Sequence, residues 1–102
     1  MYLLGDIGNS ETKIFLVNSR NKILKSTNFP TKKINNDILN SNFKKLVIDF
    51  KKVDKILFCS VVPRSFYFIK KFFSLKTKVK CYEVKNFRLW NVCKYWRWGN
   101  IN

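Results

Sequence analysis

Residues 3–13, with the sequence Leu-Leu-Gly-Asp-Ile-Gly-Asn-Ser-Glu-Thr-Lys, constrain the fold of this chain more than any other stretch. They place two apolar, β-forming runs on either side of a short Gly/Asn/Ser turn, a pattern typical of a β-hairpin. Asp6 stands where the first strand should end, Gly8 lacks a Cβ that would block close approach, and Lys13 follows the turn. Successive backbone N–H groups in such a turn can bind an anion. The stretch predicts either an ordinary hairpin or an anion site with a carboxylate beside it.

The apolar pattern of the following residues predicts the element order β-β-β-α-β-α-β and an α/β fold with a mixed sheet. Phe29-Pro30-Thr31 is expected to break the third strand, Asp37 to cap the first helix, and Pro63 to begin the second. The first three strands should form an antiparallel meander, and the last two should join in parallel beside the first strand. The predicted strands are 2–6, 12–18, 22–28, 55–62 and 77–84, and the predicted helices are 37–50 and 65–75.

The charge balance allows a second interpretation. Lys and Arg number 21 against 6 Asp and Glu, which gives a net charge of +15. Such a balance is compatible with a nucleic acid or an anionic membrane as partner. The lysines are spread along the chain rather than grouped, however, and Lys, Asn, Ile and Phe are all abundant, as AT-rich codons would produce. A nucleic-acid partner is therefore kept as an alternative and not as the leading interpretation.

The cysteines and the hydropathy pattern indicate a cytoplasmic protein without a membrane partner. Cys59, Cys81 and Cys93 are widely spaced, form no C-x-x-C pair and are accompanied by no histidine, which disfavours a zinc site. Unpaired thiols are typical of a reducing compartment. The sequence shows no secretory signal pattern and no apolar run long enough to span a membrane.

Two motifs resemble those of one enzyme family. Asp6-Ile7-Gly8-Asn9-Ser10-x-x-Lys13, on the first predicted turn, resembles the first phosphate motif of type III pantothenate kinases. Ser60-Val61-Val62-Pro63 is similar to the S-V-V-P signature at the end of the family's fourth strand. These kinases belong to the sugar kinase, Hsp70 and actin superfamily, so the resemblance implies a ribonuclease H-like core. It covers about residues 1–84.

The resemblance implies ATP-dependent phosphorylation of pantothenate, the first step towards coenzyme A. It also implies Mg²⁺, a monovalent cation (K⁺ or NH₄⁺) and, for the full-length family, a homodimer. Asp6 would help to hold the metal, Gly8 would let the backbone approach ATP, and Lys13 would offset phosphate charge. Asn9 and Ser10 would contact phosphate, and Ile7, Glu11 and Thr12 complete the ATP-binding stretch. These roles suit phosphoryl transfer, in which positioning and electrostatic stabilisation dominate.

The chain departs from the family pattern where the chemistry should occur. The family carries a G-x-D-R motif whose Asp is the general base. The most similar sequence in this chain is Tyr-Trp-Arg-Trp at 95–98, with Trp96 near the place of that Asp. No catalytic residue is therefore assigned, and Arg97 is the one substrate-binding candidate. The sequence indicates no substitute for this base among the acidic residues after position 13, which are Asp37, Asp49, Asp54 and Glu83.

We therefore expect an incomplete N-terminal domain over 1–84 and a divergent tail over 85–102, produced by truncation or a frameshift, and no catalysis by this chain alone. Two alternatives stay open at this point. One is a small basic protein that binds nucleic acid through aromatic side chains interleaved with lysines. The other is a regulatory relative of the kinases that shares their fold but not their activity.

Overall fold

The computed structural model describes residues 1–46 and 49–84. Its elements follow the predicted order β-β-β-α-β-α-β, which confirms the α/β class. The strands are β1 Tyr2–Ile7, β2 Glu11–Val17, β3 Ile23–Pro30, β4 Lys55–Ser60 and β5 Cys81–Glu83, and the helices are α1 Asn36–Leu46 and α2 Pro63–Lys76. Two short 3-10 helices lie at Thr31–Lys33 and Phe50–Lys52. The predicted tail over 85–102, with Trp96 and Arg97, lies outside the described residues.

The five strands form one mixed sheet in the order β3-β2-β1-β4-β5. β1 pairs antiparallel with β2, and β2 pairs antiparallel with β3. β4 lies parallel to β1, and β5 lies parallel to β4. The predicted meander and the parallel addition of the last two strands beside β1 are confirmed, and the resulting topology is compatible with a ribonuclease H-like half-domain.

The main core lies on the face of the sheet that α1 and α2 cover. Successive side chains of a strand point to opposite faces, so Leu3 and Ile7 of β1 face the helices while Leu4 and Asp6 face away. Phe43 of α1 and Phe73 of α2 belong to the same core, and their ring centroids lie 4.7 Å apart in an edge-to-face arrangement. A smaller buried cluster of Leu4, Phe15 and Val17 lies on the other face.

Gly5 is required by the packing of the main core, between the sheet and the two helices. It lies directly opposite Phe58 in the β1–β4 register, and Phe58 is fully buried. A Cβ added to Gly5 would lie 2.0 Å from Cε1 of the Phe58 ring. The absence of a side chain at this position allows an aromatic ring to lie on the central strand.

Several predicted boundaries are wrong: α1 ends at Leu46 and not at residue 50, and β4 ends at Ser60 and not at residue 62. The side chain of Asn35, not of Asp37, caps α1, because Asn35 Oδ1 accepts a hydrogen bond of 2.8 Å from the N–H of Ile38. Asp37 lies in the first turn of that helix and is exposed. β3 continues through Pro30 instead of ending before it, since an edge strand tolerates a missing N–H donor. β5 is limited to Cys81–Glu83 and does not begin at residue 77.

The thiols differ from one another. Cys81 is free and buried, and burial raises the pKa of its thiol to about 12 despite the nearby Lys70. The expectation of unpaired thiols is not met at Cys59, which is disulfide-bonded. Among the described residues, neither helix is long and apolar enough to cross a membrane.

Candidate functional site

The predicted site lies at the end of the sheet where β1 and β4 end and β2 begins. Gly8, Asn9 and Ser10 connect β1 to β2, and these three residues are called the first turn below. The N–H of Gly8 donates a hydrogen bond of 3.0 Å to the carbonyl of Glu11, which closes the first turn. Asn9 and Ser10 are exposed. Two polar side chains therefore stand in solvent at the end of the central hairpin.

Asp6 and Lys13 lie directly opposite each other across β1 and β2. On the other side of β1, Asp6 is opposite Cys59 of β4. Residues directly opposite in neighbouring strands project from the same face, so these three side chains share the face away from the helices. Asp6 and Lys13 are both half-buried. The predicted carboxylate and the predicted cation are thus brought together immediately before and after the first turn.

Gly8 serves the first turn through lack of volume and not through an unusual backbone conformation. Within the described residues, no glycine has a positive φ. Asn21 is the one residue there with a positive φ, at 62°. A Cβ on Gly8 would approach the carbonyl oxygen of Glu11 to 3.1 Å, a tight contact with backbone. Among the described residues, no other atom lies within 4 Å of that added Cβ outside its chain neighbours. As far as these residues are concerned, the space beside Gly8 is open for a ligand to approach.

Thr31, which follows β3, contacts the first turn twice. Its hydroxyl donates to the carbonyl of Gly8 at 2.8 Å, and its backbone N–H donates to the carbonyl of Ser10 at 3.1 Å. The hydroxyl of Thr12 lies 2.9 Å from that of Thr31. Both threonines are buried, with Thr12 fully so. Sequence reasoning missed this role, since 23 residues separate Thr31 from Gly8 and only the sheet order brings them together.

The second predicted motif lies beside the first turn. Ser60 is opposite Ile7 in the β1–β4 register, and the N–H of Val61 donates to the carbonyl of Ile7 at 3.1 Å. The Ser60 hydroxyl accepts from the N–H of Val62 at 3.0 Å and donates to its carbonyl at 2.9 Å, which turns the chain into α2. Pro63 begins α2, as predicted. The positive end of the α2 dipole therefore lies at the same end of the sheet.

Cations predominate at this end of the molecule. Lys32 and Arg64 line a cavity of about 380 Å³ together with Thr31, Ser65 and Phe68. No acidic residue lies in the first turn of α2. Lys13 adds a third cation on the other face of the sheet. Against these, the nearby carboxylates are those of Asp6 and Glu11, so the electrostatic environment favours an anionic ligand.

The donor set fits a magnesium ion only in part. Within residues 1–46 and 49–84, no group of three or more metal-ligating side chains occurs. Mg²⁺ is commonly held by one or two protein carboxylates, with substrate phosphates and water completing its six ligands. Asp6 can supply one such carboxylate, and the nucleotide would have to supply the phosphate oxygens. The described residues alone do not supply enough ligands to bind a metal ion in the absence of a nucleotide.

The remaining residues of the predicted stretch have different surroundings. The side chains of Ile7 and Thr12 are fully buried, so these residues can reach a ligand only through their backbone. Glu11 is exposed at the start of β2. The substrate candidate Arg97 and the position of Trp96 lie outside the described residues.

The other carboxylates lie elsewhere in the fold. Asp54 pairs with the N-terminal ammonium at 2.6 Å. The side chain of Asp49 is exposed, accepts from the N–H of Lys51 and caps a 3-10 helix that follows α1. Asp37 lies on α1, and Glu83 lies on β5, two strands from β1. None of the four joins Asp6 at the first turn.

Comparisons with known proteins agree with the two motifs. A family model described as type III pantothenate kinase matches residues 2–92. A type III pantothenate kinase from Pelagibacter ubique (strain HTCC1062) is 48% identical over 94 residues. That alignment covers 92% of this chain and 38% of the relative, so the chain spans well under half the length of that protein. The family match continues past residue 84, where the resemblance in the sequence motifs ends.

Proposed function

This chain belongs to the type III pantothenate kinase family, and from that membership we propose that residues 6–13 are the first phosphate-binding part of the site for Mg·ATP. The observation that carries the proposal is the placement of Asp6 directly opposite Lys13, on either side of a turn with open space beside Gly8. A carboxylate, a cation and exposed turn donors are the groups that a metal-bound phosphate needs. The second motif and the N-terminus of α2 lie beside them.

Each group has a definite role in this proposal. Lys13 offsets phosphate charge, and its half-buried position makes the attraction stronger than it would be in bulk water. Asn9 and Ser10 supply side-chain donors, and the backbone at Gly8 allows the phosphates to approach. Asp6 would hold the magnesium ion directly or through water. When bound, Mg²⁺ supplies charge neutralisation at the phosphate oxygens.

We propose that the substrate of the whole enzyme is pantothenate and that the reaction is its ATP-dependent phosphorylation. Family membership supports this part of the proposal, together with a monovalent cation (K⁺ or NH₄⁺), a homodimer and a cytoplasmic location. The geometry of the described residues supports the phosphate site alone.

We further propose that the 102-residue chain is inactive on its own. A base is needed to accept the proton of the pantothenate hydroxyl, and Asp37, Asp49, Asp54 and Glu83 lie away from the first turn. The expected base is replaced by Trp96 in the sequence, and Trp cannot accept a proton. A frameshift beyond residue 92, where the family match ends, would account for this change, and a G-x-D-R motif in another frame of the coding DNA would demonstrate it.

The decisive experiment compares wild type with Asp6→Asn. If residues 6–13 bind Mg·ATP, Asp6→Asn should weaken binding by about 1–3 kcal/mol, the scale of a charged hydrogen-bond partner. Isothermal titration with Mg·ATP at two salt concentrations measures this effect. The wild-type 102-residue chain should show no pantothenate-dependent ATP turnover above background. Unchanged Mg·ATP affinity in Asp6→Asn would show that the phosphate-site assignment is wrong.

An unrelated oligonucleotide is the matched control ligand in this experiment. If the net charge of +15 alone attracts anions, oligonucleotide binding should fall steeply with added salt. Removal of the Asp6 charge should then leave binding unchanged or strengthen it slightly. The phosphate site and a nucleic-acid surface thus predict opposite signs for one substitution. A regulatory relative without the ATP site would bind neither ligand specifically.

A further inference from the structure

We infer that Thr31 is a positioning residue for ATP: it holds two carbonyl groups of the first turn inward, so that the N–H groups on the same peptide units point outward to the nucleotide phosphates. The inference rests on the proposed function of residues 6–13. It assigns a role to the segment Phe29-Pro30-Thr31, in which the sequence indicates only the end of a strand.

The hydrogen bonds around Thr31 form a chain with a fixed direction. A threonine hydroxyl has one hydrogen to donate, and that of Thr31 goes to the carbonyl of Gly8 at 2.8 Å. In the 2.9 Å contact between the two hydroxyls, Thr12 must therefore be the donor and Thr31 the acceptor. Thr31 is 6% exposed and Thr12 is 0% exposed. Water therefore has little access to these hydrogen bonds, and each hydroxyl needs its protein partner to satisfy its hydrogen bonding.

The geometry of the peptide bond transmits this arrangement to the ligand side of the turn. In a planar trans peptide, the C=O of one residue and the N–H of the next point in opposite directions. Because Thr31 holds the Gly8 carbonyl, the N–H of Asn9 is directed away from Thr31. The bond from the Thr31 N–H to the Ser10 carbonyl, at 3.1 Å, directs the N–H of Glu11 in the same way. Two backbone donors are thereby fixed before a ligand arrives, as an anion site requires.

Removal of the Thr31 hydroxyl should disturb the first turn without opening the core. Valine has nearly the same shape as threonine, so Thr31→Val deletes the bonds to Gly8 and Thr12 and keeps the packing. The Gly8 carbonyl can then rotate towards water and turn the N–H of Asn9 inward. Thr31→Ser keeps the hydroxyl and loses only a methyl group, and it should keep the turn as it is.

Thr27→Val is the matched control. The hydroxyl of Thr27 on β3 donates to Oδ1 of the buried Asn42 on α1. This substitution also removes one hydroxyl hydrogen bond, here a partly buried one, at the interface of the sheet with α1 and not at the first turn. It reports the general cost of such a loss to the fold.

The experiment measures Mg·ATP affinity, amide hydrogen exchange and thermal unfolding for wild type and the three variants of the 102-residue chain. We expect Thr31→Val to raise the Kd for Mg·ATP about 3- to 10-fold, the range for one net hydrogen bond. Thr31→Ser and Thr27→Val should stay within about twofold of wild type. The Gly8 amide should exchange several-fold faster in Thr31→Val than in Thr27→Val, at matched stability.

Each outcome decides the inference. Weaker Mg·ATP binding in Thr31→Val, with rescue by Thr31→Ser, supports it. Wild-type affinity in Thr31→Val overturns it, as does an equal loss in Thr27→Val. If wild type itself does not bind Mg·ATP, the proposed function fails. In that case exchange at Gly8 decides whether Thr31 holds the turn, and equal exchange in Thr31→Val and Thr27→Val refutes that role as well.

Discussion

The two hairpin turns of the meander are held in different ways. The first turn accepts two hydrogen bonds from Thr31, a residue from beyond the third strand. The second turn, residues 18–22, is closed by its own first residue. Oδ1 of Asn18 accepts from the N–H of Arg20 at 2.9 Å and from that of Lys22 at 3.0 Å, and the backbone of Asn18 bonds to Lys22 as well.

This difference separates a turn that serves the fold from one suited to a ligand. In the second turn the local polar side chain is used up in closing the backbone, as Asn commonly does. In the first turn, Asn9 and Ser10 are exposed, and remote residues satisfy the carbonyl groups. Support from a distance leaves the local donors available for binding. The following predictions test this contrast, beginning with the largest effect.

Gly5→Ala, in the strand that leads into the first turn, should lower the free energy of unfolding by about 3 kcal/mol, the upper part of the range for an overpacked core. The added Cβ would overlap the ring of Phe58, which is fully buried and packed among other core side chains. The gain from a less flexible unfolded chain, about 0.4–1 kcal/mol, is smaller. Urea unfolding measures the loss. Ser19→Ala in the second turn is the control, and equal midpoints for the two variants would contradict the prediction.

Lys13→Ala and Arg20→Ala should separate the two turns by function, because each removes one positive charge beside a turn. Lys13 lies opposite Asp6, whereas Arg20 is exposed in the second turn. We expect Lys13→Ala to weaken Mg·ATP binding by about 1–3 kcal/mol and Arg20→Ala to have little effect. Titration at constant ionic strength compares them. An equal loss in both variants would mean that net charge, and not the first turn, attracts the nucleotide.

Asn21→Ala should have the smallest effect and should change stability alone. Asn21 has a φ of 62°, in the left-handed region that costs a residue with an ordinary side chain about 1 kcal/mol. Thermal unfolding should show a loss of this size for Asn21→Ala and no loss for Asn21→Gly. Mg·ATP affinity should equal that of wild type in both. A change in affinity would show that the second turn is coupled to the first.

The order of the elements could be predicted because the sequence carries strong local signals for each of them. The apolar run that ends in Pro63 predicted β4 and the start of α2, and both are confirmed. Boundaries were less certain where several residues compete for one role. Asn35, Asn36 and Asp37 can all cap a helix, and the hydrogen bond to Ile38 selects Asn35. The tolerance of Pro30 within β3 depends on the sheet order, which places β3 at the edge.

The candidate site could be predicted only to the extent that it is local in sequence. Asp6, Gly8 and Lys13 lie within eight positions of one another, so a motif can show them together. Thr31 becomes part of the site through the pairing of β2 with β3, which places Glu11 opposite Pro30. No spacing rule in the sequence indicates that contact. Its discovery required the three-dimensional arrangement of the strands.

The self-contained second turn also has a practical use. It lies at the opposite end of β2 from the first turn, and seven residues of extended chain place the two roughly 20 Å apart. Exposed turns with small or polar residues tolerate insertions. If the first turn binds a nucleotide as proposed, a fluorophore attached at Ser19 would therefore lie within energy-transfer range of a dye-labelled nucleotide bound there. The chain thus offers its own reference point for an optical binding assay.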